Sequence, residues 1–239
     1  MNPLTPLCLL KWSLKSAVVA MLLIVNQCHL QADEDGKKLS NQAAAAEEER
    51  DIDLAIELYS RAIKSGDLST SQQAYMYYRR ASLWAHYCEN GRAIDDFTKA
   101  IELDPFYGSA YSLRGYLRGL SGQYELAEKD HMMAMKLVTE SKWEDYLPWV
   151  LQHYADLWRR QGQFEKALEI CSKAFEKSDY AAIIFRRAWI YLDMGELDKA
   201  KADFKRFKRE CERQNYSTDL LWPDEQIAFN RLSRISQSE

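Results

Sequence analysis

The 239-residue sequence predicts an all-α protein, a solenoid of about five helix-turn-helix repeats closed by a C-terminal capping helix. Three observations carry that prediction. Hydrophobic residues make up 47% of the chain, with only nine Gly and five Pro, and runs of alternating β-branched residues are lacking, which favours helices over strands. An Ala-centred pattern occurs around Ala55, Ala93, Ala127, Ala167 and Ala200, at spacings of 38, 34, 40 and 33 residues. A small residue stands twelve positions before each of them, at Ala43, Ala81, Gly115, Ala155 and Ala188. A period of about 34 with insertions is the mark of stacked helix pairs.

Residues 1–32 are expected to lie outside the fold. Lys11 and Lys15 precede the apolar run Ala17–Val25, and a more polar stretch ends at the small residue Ala32. This is a secretory signal pattern, too short in its apolar part to span a bilayer, which needs about 20 residues. It implies export, with the periplasm or extracellular side as the destination. Lipidation of Cys28 and an uncleaved membrane anchor, aided by the apolar stretch Leu4–Leu14, are the alternatives. Either would be the chain's only route to a membrane. Without the leader, 30 Lys and Arg face 36 Asp and Glu, a balance unsuited to wrapping nucleic acid. Of five Cys, Cys88, Cys171 and Cys211 then remain, widely spaced and without a CxxC, so buried or half-buried thiols are expected rather than a disulfide framework.

Two antiparallel helices approach closely only where facing residues are small, so Ala81 and Ala93 mark a contact that Tyr77, Trp84 and Phe97 surround. Pro105 ends the second helix of that pair. Residues 74–107 resemble most fully the tetratricopeptide repeat, with its W-x2-L-G-x2-Y, A-x3-F-x2-A and final P. The resemblance implies a right-handed α-solenoid with units at about 36–69, 74–107, 108–141, 148–181 and 181–214. Departures fall at Arg118, where an aromatic is usual, at His131 and Cys171, where Phe or Tyr is usual, and at Phe207, which replaces a small residue. Of the longer connections, the one before the fourth unit is apolar at Trp143, Tyr146 and Leu147, which suits padding or a lid over the groove. Residues 215–239 form the expected capping helix and tail. Pro223 suits a first helical position, Asp224 and Glu225 favour the positive end of the dipole, and Ala228, Leu232 and Ile235 recur on one face.

Neither catalytic nor metal-binding motifs appear, and no cofactor is implied. Acidic pairs such as Asp95–Asp96 read as solvated helix faces, and His131 reads as a satisfied packing histidine. In the family it resembles, the concave groove is lined by fixed first-helix positions. Here these include Tyr75, Tyr78, Arg79, His86, Tyr116, Trp149, His153, Asp156, Arg160, Phe185, Arg186 and Trp189. Such an aromatic and Arg lining suits a protein or peptide partner. Arg80, Arg114 and Arg187 recur where the family often has structural Arg. Its chaperone-tail receptors grip a terminal carboxylate with Lys and Asn residues, but the corresponding positions hold Tyr78, Ser82, Leu113, Trp149 and His153, so that clamp is absent. The expected function is a non-enzymatic scaffold or adaptor acting after export. The alternative is a structural homo-oligomerisation module of an envelope complex.

Overall fold

A computed structural model describes residues 35–141, 144–175, 180–215, 217–218 and 221–237. The expected export leader and Trp143 lie outside these residues. The described residues contain eleven α-helices and no strand. They divide into a unit ending at Met76 and a unit beginning at Tyr77.

In the first unit, α1 (Gly36–Glu48) and α2 (Ile52–Lys64) form one helix pair. Ala43 and Ala55 are fully buried, beside Leu39, Tyr59 and Ala62. Asp35 caps α1 by accepting from the Lys37 amide at 2.9 Å, and Asp51 caps α2 through the Leu54 amide at 3.2 Å. Both carboxylate oxygens of Asp67 accept from the Gly36 amide, at 3.1 and 3.0 Å. A side chain at Gly36 would collide with Ser65 and Asp67, which explains the glycine.

Helix α3 (Thr70–His86) enters the second unit at Tyr77 and is followed by α4 (Asn90–Leu103), α5 (Gly108–Leu120) and α6 (Tyr124–Glu140). A short 3₁₀ turn at Glu144–Tyr146 leads into α7 (Leu147–Arg160) and α8 (Phe164–Phe175). The series continues with α9 (Ala181–Met194) and α10 (Leu197–Gln214), and closes with α11 (Pro223–Gln237). Within each pair the connection has two or three residues, which forces the second helix back along the first. Ala81, Ala93, Ala127, Ala155, Ala167, Ala188 and Ala200 are all 0% exposed, so the small-residue periodicity is a contact between helices. First helices α5, α7 and α9 also pack on one another in sequence.

One polar device recurs inside the pairs. Arg80 binds Asp96 through Nε and Nη2 at 2.7 and 2.8 Å, Arg114 binds Asp130 at 3.0 and 2.7 Å, and Arg187 binds Asp203 at 2.6 and 2.7 Å. Each bridge is two-pronged and spans sixteen residues, from the first helix of a pair to the second. The expectation that Asp96 sits on a solvated face is therefore corrected, because it is a buried partner of Arg80. Arg118 takes the place of an aromatic by adding a third bond to Asp130, at 2.7 Å. In the 148–181 stretch the equivalent positions hold Tyr154 and Ile170, an apolar substitute.

His131 is fully buried against Gly115 and the Tyr154 ring, yet neither ring nitrogen has a hydrogen-bond partner among the described residues. The expected satisfied histidine is thus an unsatisfied one. Burial pushes its pKa down to about 3, so it is a neutral space-filler where an aromatic would serve. Phe207, in place of a small residue, is enclosed by Phe185, Phe204 and Phe229.

Candidate functional site: the first-helix array and the C-terminal segment

The C-terminal helix divides into two halves with different tasks. Ala228 and Leu232 are buried, and with Phe229 and Ile235 they cover the Phe185, Phe204 and Phe207 cluster of α9 and α10. This half is the cap that the sequence leads one to expect. The N-terminal half, with Trp222 just ahead of it, reaches back along the series to α7, α5 and α3.

Asp156 on α7 lies at the centre, 1% exposed, and accepts from Arg159 Nε at 2.9 Å, Arg160 Nε at 2.6 Å and Arg186 Nη1 at 2.6 Å. Arg159 also reaches Asp193. Two acids of α11 complete the cluster. Arg186 donates through Nη2 to Glu225, and Arg160 donates through Nη2 to Asp224. The Tyr116 hydroxyl donates to the other Asp224 oxygen at 2.6 Å. Glu225 in turn accepts from the Trp222 amide at 3.0 Å, which closes the first turn of α11.

Burial by itself would raise the Asp156 pKa, but the charges of Arg186, Arg159 and Arg160 outweigh it and hold the carboxyl far below its ordinary range. Burial likewise opposes the charge on Arg186, and Asp156 and Glu225 more than restore it. For Glu225 burial wins and the pKa is raised, with Arg186 opposing. A buried charge cluster of this kind depends on every partner being present.

Beside the charges lies an aromatic row. Trp222 stacks on His86 with ring centroids 4.3 Å apart and planes 7° from parallel, and meets Tyr116 at 5.8 Å. His153 stands edge-on to Trp149 at 4.7 Å and faces Tyr116 at 5.2 Å, while its Nδ1 is paired with Ser112 Oγ at 3.1 Å. Burial and the Arg186 charge push the His153 pKa well down. Trp189 lies under Arg159, whose guanidinium carbon is 3.8 Å from the ring centroid, and beside Arg186 at 5.1 Å.

The twelve residues expected to line an open groove therefore have three placements. His86, Tyr116, Trp149, His153, Asp156, Arg160, Arg186 and Trp189 form the array just described. Phe185 is instead core, packed on Phe207 at 5.0 Å, and Tyr78 is wedged between Tyr107 at 4.8 Å and Phe97 at 5.7 Å. Arg79 is half-buried, and Tyr75 is exposed in the first unit. In this structure the array is covered by Trp222, Asp224 and Glu225, which the groove positions do not include. Their local sequence, Trp-Pro-Asp-Glu, also satisfies the rules for a helix start, and that reading masks their second task.

With this geometry in view, comparison with known proteins assigns the repeat. The tetratricopeptide-repeat family model matches residues 181–209, which cover α9 and most of α10. That stretch is a tetratricopeptide repeat by this match. Hsc70-interacting protein 1 of Drosophila melanogaster is 32% identical over 114 residues, 48% of this chain and 29% of that protein. A small glutamine-rich tetratricopeptide repeat-containing protein of Mycosarcoma maydis is 29% identical over 109 residues, 44% of this chain and 30% of that one. The chain thus spans under a third of the length of these relatives. The all-α repeat fold is shared with a thermophilic tetratricopeptide-repeat protein of Thermus thermophilus, at a TM-score of 0.64 and 16% identity, covering 84% of this chain and 100% of that one. It is shared too with the type IV pilus biogenesis factor PilW, at a TM-score of 0.62 and 16% identity, covering 84% and 85%. Tetratricopeptide-repeat proteins generally mediate protein–protein interaction.

Proposed function

We propose that the protein is a non-enzymatic interaction scaffold whose first-helix array, on α3, α5, α7 and α9, holds a segment of a partner protein. The observation that carries this reading is the docking of Trp222–Glu225. A stretch leading into a helix is held there through one ring stack and two carboxylates, which is how a peptide would be held. The action is binding by mass action, with no chemistry at the site.

Support for action after export comes from the leader pattern of residues 1–32, which favours the periplasm or extracellular side, or a membrane-anchored location if the leader is retained or lipidated. The Drosophila relatives carry an Hsc70-interacting name, but the terminal-carboxylate clamp is absent here, so a different partner class is proposed. The test is affinity capture from native-host extract with the full chain beside a Trp149→Ala/Arg160→Ala variant of retained helicity. Loss of the captured partner with the variant is expected. Equal capture by both proteins would move the binding surface elsewhere, and capture of the chain alone would favour homo-oligomerisation.

A further inference from the structure

We infer that the array selects an internal acidic segment, with an aromatic side chain followed two and three residues later by adjacent carboxylates, and that Trp222–Glu225 is the chain's own competing copy of this ligand. The inference rests on the scaffold reading and names its ligand class.

The first argument is that capping does not need these residues. The exposed side of the last pair is covered by Leu221, Ala228, Phe229, Leu232 and Ile235, a set that includes none of Trp222, Asp224 and Glu225. Trp222 and Asp224 touch His86 on α3, Tyr116 on α5 and Arg160 on α7, none of which belongs to the last pair. A simple cap would not reach that surface.

The second argument is charge. On the repeat side, the acids paired with Arg159, Arg160 and Arg186 among the described residues are Asp156 and Asp193. The surplus guanidinium capacity points at Asp224 and Glu225, and Arg186 is 0% exposed. With the segment absent Arg186 keeps Asp156 but loses the acid that its Nη2 binds, so an anionic occupant suits the array. Side-chain carboxylates fill this role, and no terminal carboxylate is needed. Between them, the His86 face and the Tyr116 ring define a slot for a flat aromatic side chain.

The third argument concerns competition. A tethered segment acts at an effective concentration of order mM, so a partner segment must either outcompete it or engage when it is weakened. The same contacts that hold the tail therefore set a threshold for the partner.

The test uses the full chain and a fluorescein-labelled peptide of residues 218–230, read by anisotropy. The wild type should bind weakly, because its own segment is in place. Asp224→Asn/Glu225→Gln, which keeps the shapes and the cap on the Trp222 amide but removes both charges, should bind at least tenfold more tightly. Adding Arg160→Gln should abolish that gain, and a peptide with the same two acids amidated should not bind. Circular dichroism and melting confirm that each variant is folded. Hydrogen exchange at the first turn of α11 gives a second reading, with faster exchange expected in Asp224→Asn/Glu225→Gln. Equal peptide affinity for wild type and variant, together with unchanged exchange, overturns the inference. If the peptide fails while the Trp149→Ala/Arg160→Ala variant still loses its native partner, the ligand class is wrong and the scaffold reading stands. If neither binding is affected, both fall.

Discussion

Gly115 and Gly119 are one turn apart on α5 and face different constraints. A Cβ at Gly115 would stand 3.1 Å from the Ala127 carbonyl oxygen, the Asp130 Cβ and the His131 ring, whereas one at Gly119 would meet Leu157 at an ordinary 3.5 Å. Overpacking costs about 1–3 kcal/mol, against a helix-propensity gain of about 1 kcal/mol for Ala over Gly. Gly115→Ala is therefore expected to lower stability by up to about 2 kcal/mol and Gly119→Ala to raise it by up to about 1 kcal/mol, as urea midpoints would show. His131, which presses on Gly115, makes a second prediction at this scale. It is held neutral in the fold with a pKa of about 3, while the unfolded value is 6.5. The stability tied to that neutrality is complete above pH 6.5 and is lost as pH falls from there towards 3, because the unfolded chain takes up the proton first. At about 1.36 kcal/mol per pH unit, the wild type should lose about 2 kcal/mol more than His131→Phe between pH 7.5 and 5. A parallel loss in the two proteins would show that the ring is solvated.

At the scale of elements, the five helix-turn-helix connections share one geometry. Arg50, Cys88, Gly122, Gly162 and Gly195 all have positive φ, between 60° and 78°. They follow the same 38, 34, 40 and 33 spacing as the alanines. The residue after each donates its amide to the carbonyl five residues back, as in Asp51 to Ala46, Glu89 to Trp84, Gln123 to Arg118, Gln163 to Trp158 and Glu196 to Tyr191, at 2.8–2.9 Å. This is the Schellman closure, in which glycine carries no steric penalty. Cys88 and Arg50 accept that penalty. Cys88→Gly is expected to stabilise the chain by about 1 kcal/mol, measured by denaturant midpoint, despite removing a side chain. The Arg–Asp bridges allow another test. Arg114→Ala leaves Asp130 to Arg118, whereas Arg187→Ala leaves Asp203 without a second guanidinium among the described residues. A double-mutant cycle should give a larger coupling for Arg187–Asp203, relative to its exposure, than for Arg114–Asp130.

For the whole molecule, helix content and repeat period were legible because close helix contacts admit little besides Ala or Gly, and that restriction shows at fixed spacing. Ala93 or Ala167 could be placed from sequence alone. Phe185 and Tyr78 could not, because a groove position and a core position differ by one step on a helix, and neighbouring aromatic residues, Phe207 and Tyr107, decide the difference. The Arg–Asp bridges were half legible. Arg80, Arg114 and Arg187 stand out as recurrent, but Asp96, the partner of Arg80, reads from sequence as part of a solvated acidic pair. Least legible was the second task of Trp222–Glu225. Local rules account fully for Pro, Asp and Glu at a helix start, and the rings and guanidiniums they meet lie in helices far away along the chain.

The dependence of Arg186 on Glu225 has a consequence for biosynthesis. A ribosome makes Arg186 39 residues before Glu225, so a nascent chain that has not reached Glu225 has Asp156 beside Arg186 and lacks the acid that its Nη2 binds. Such a fragment would have its helices and lack its final partner. The order of synthesis thus leaves an interval in which the Arg186 and Arg160 guanidiniums face water or another carboxylate.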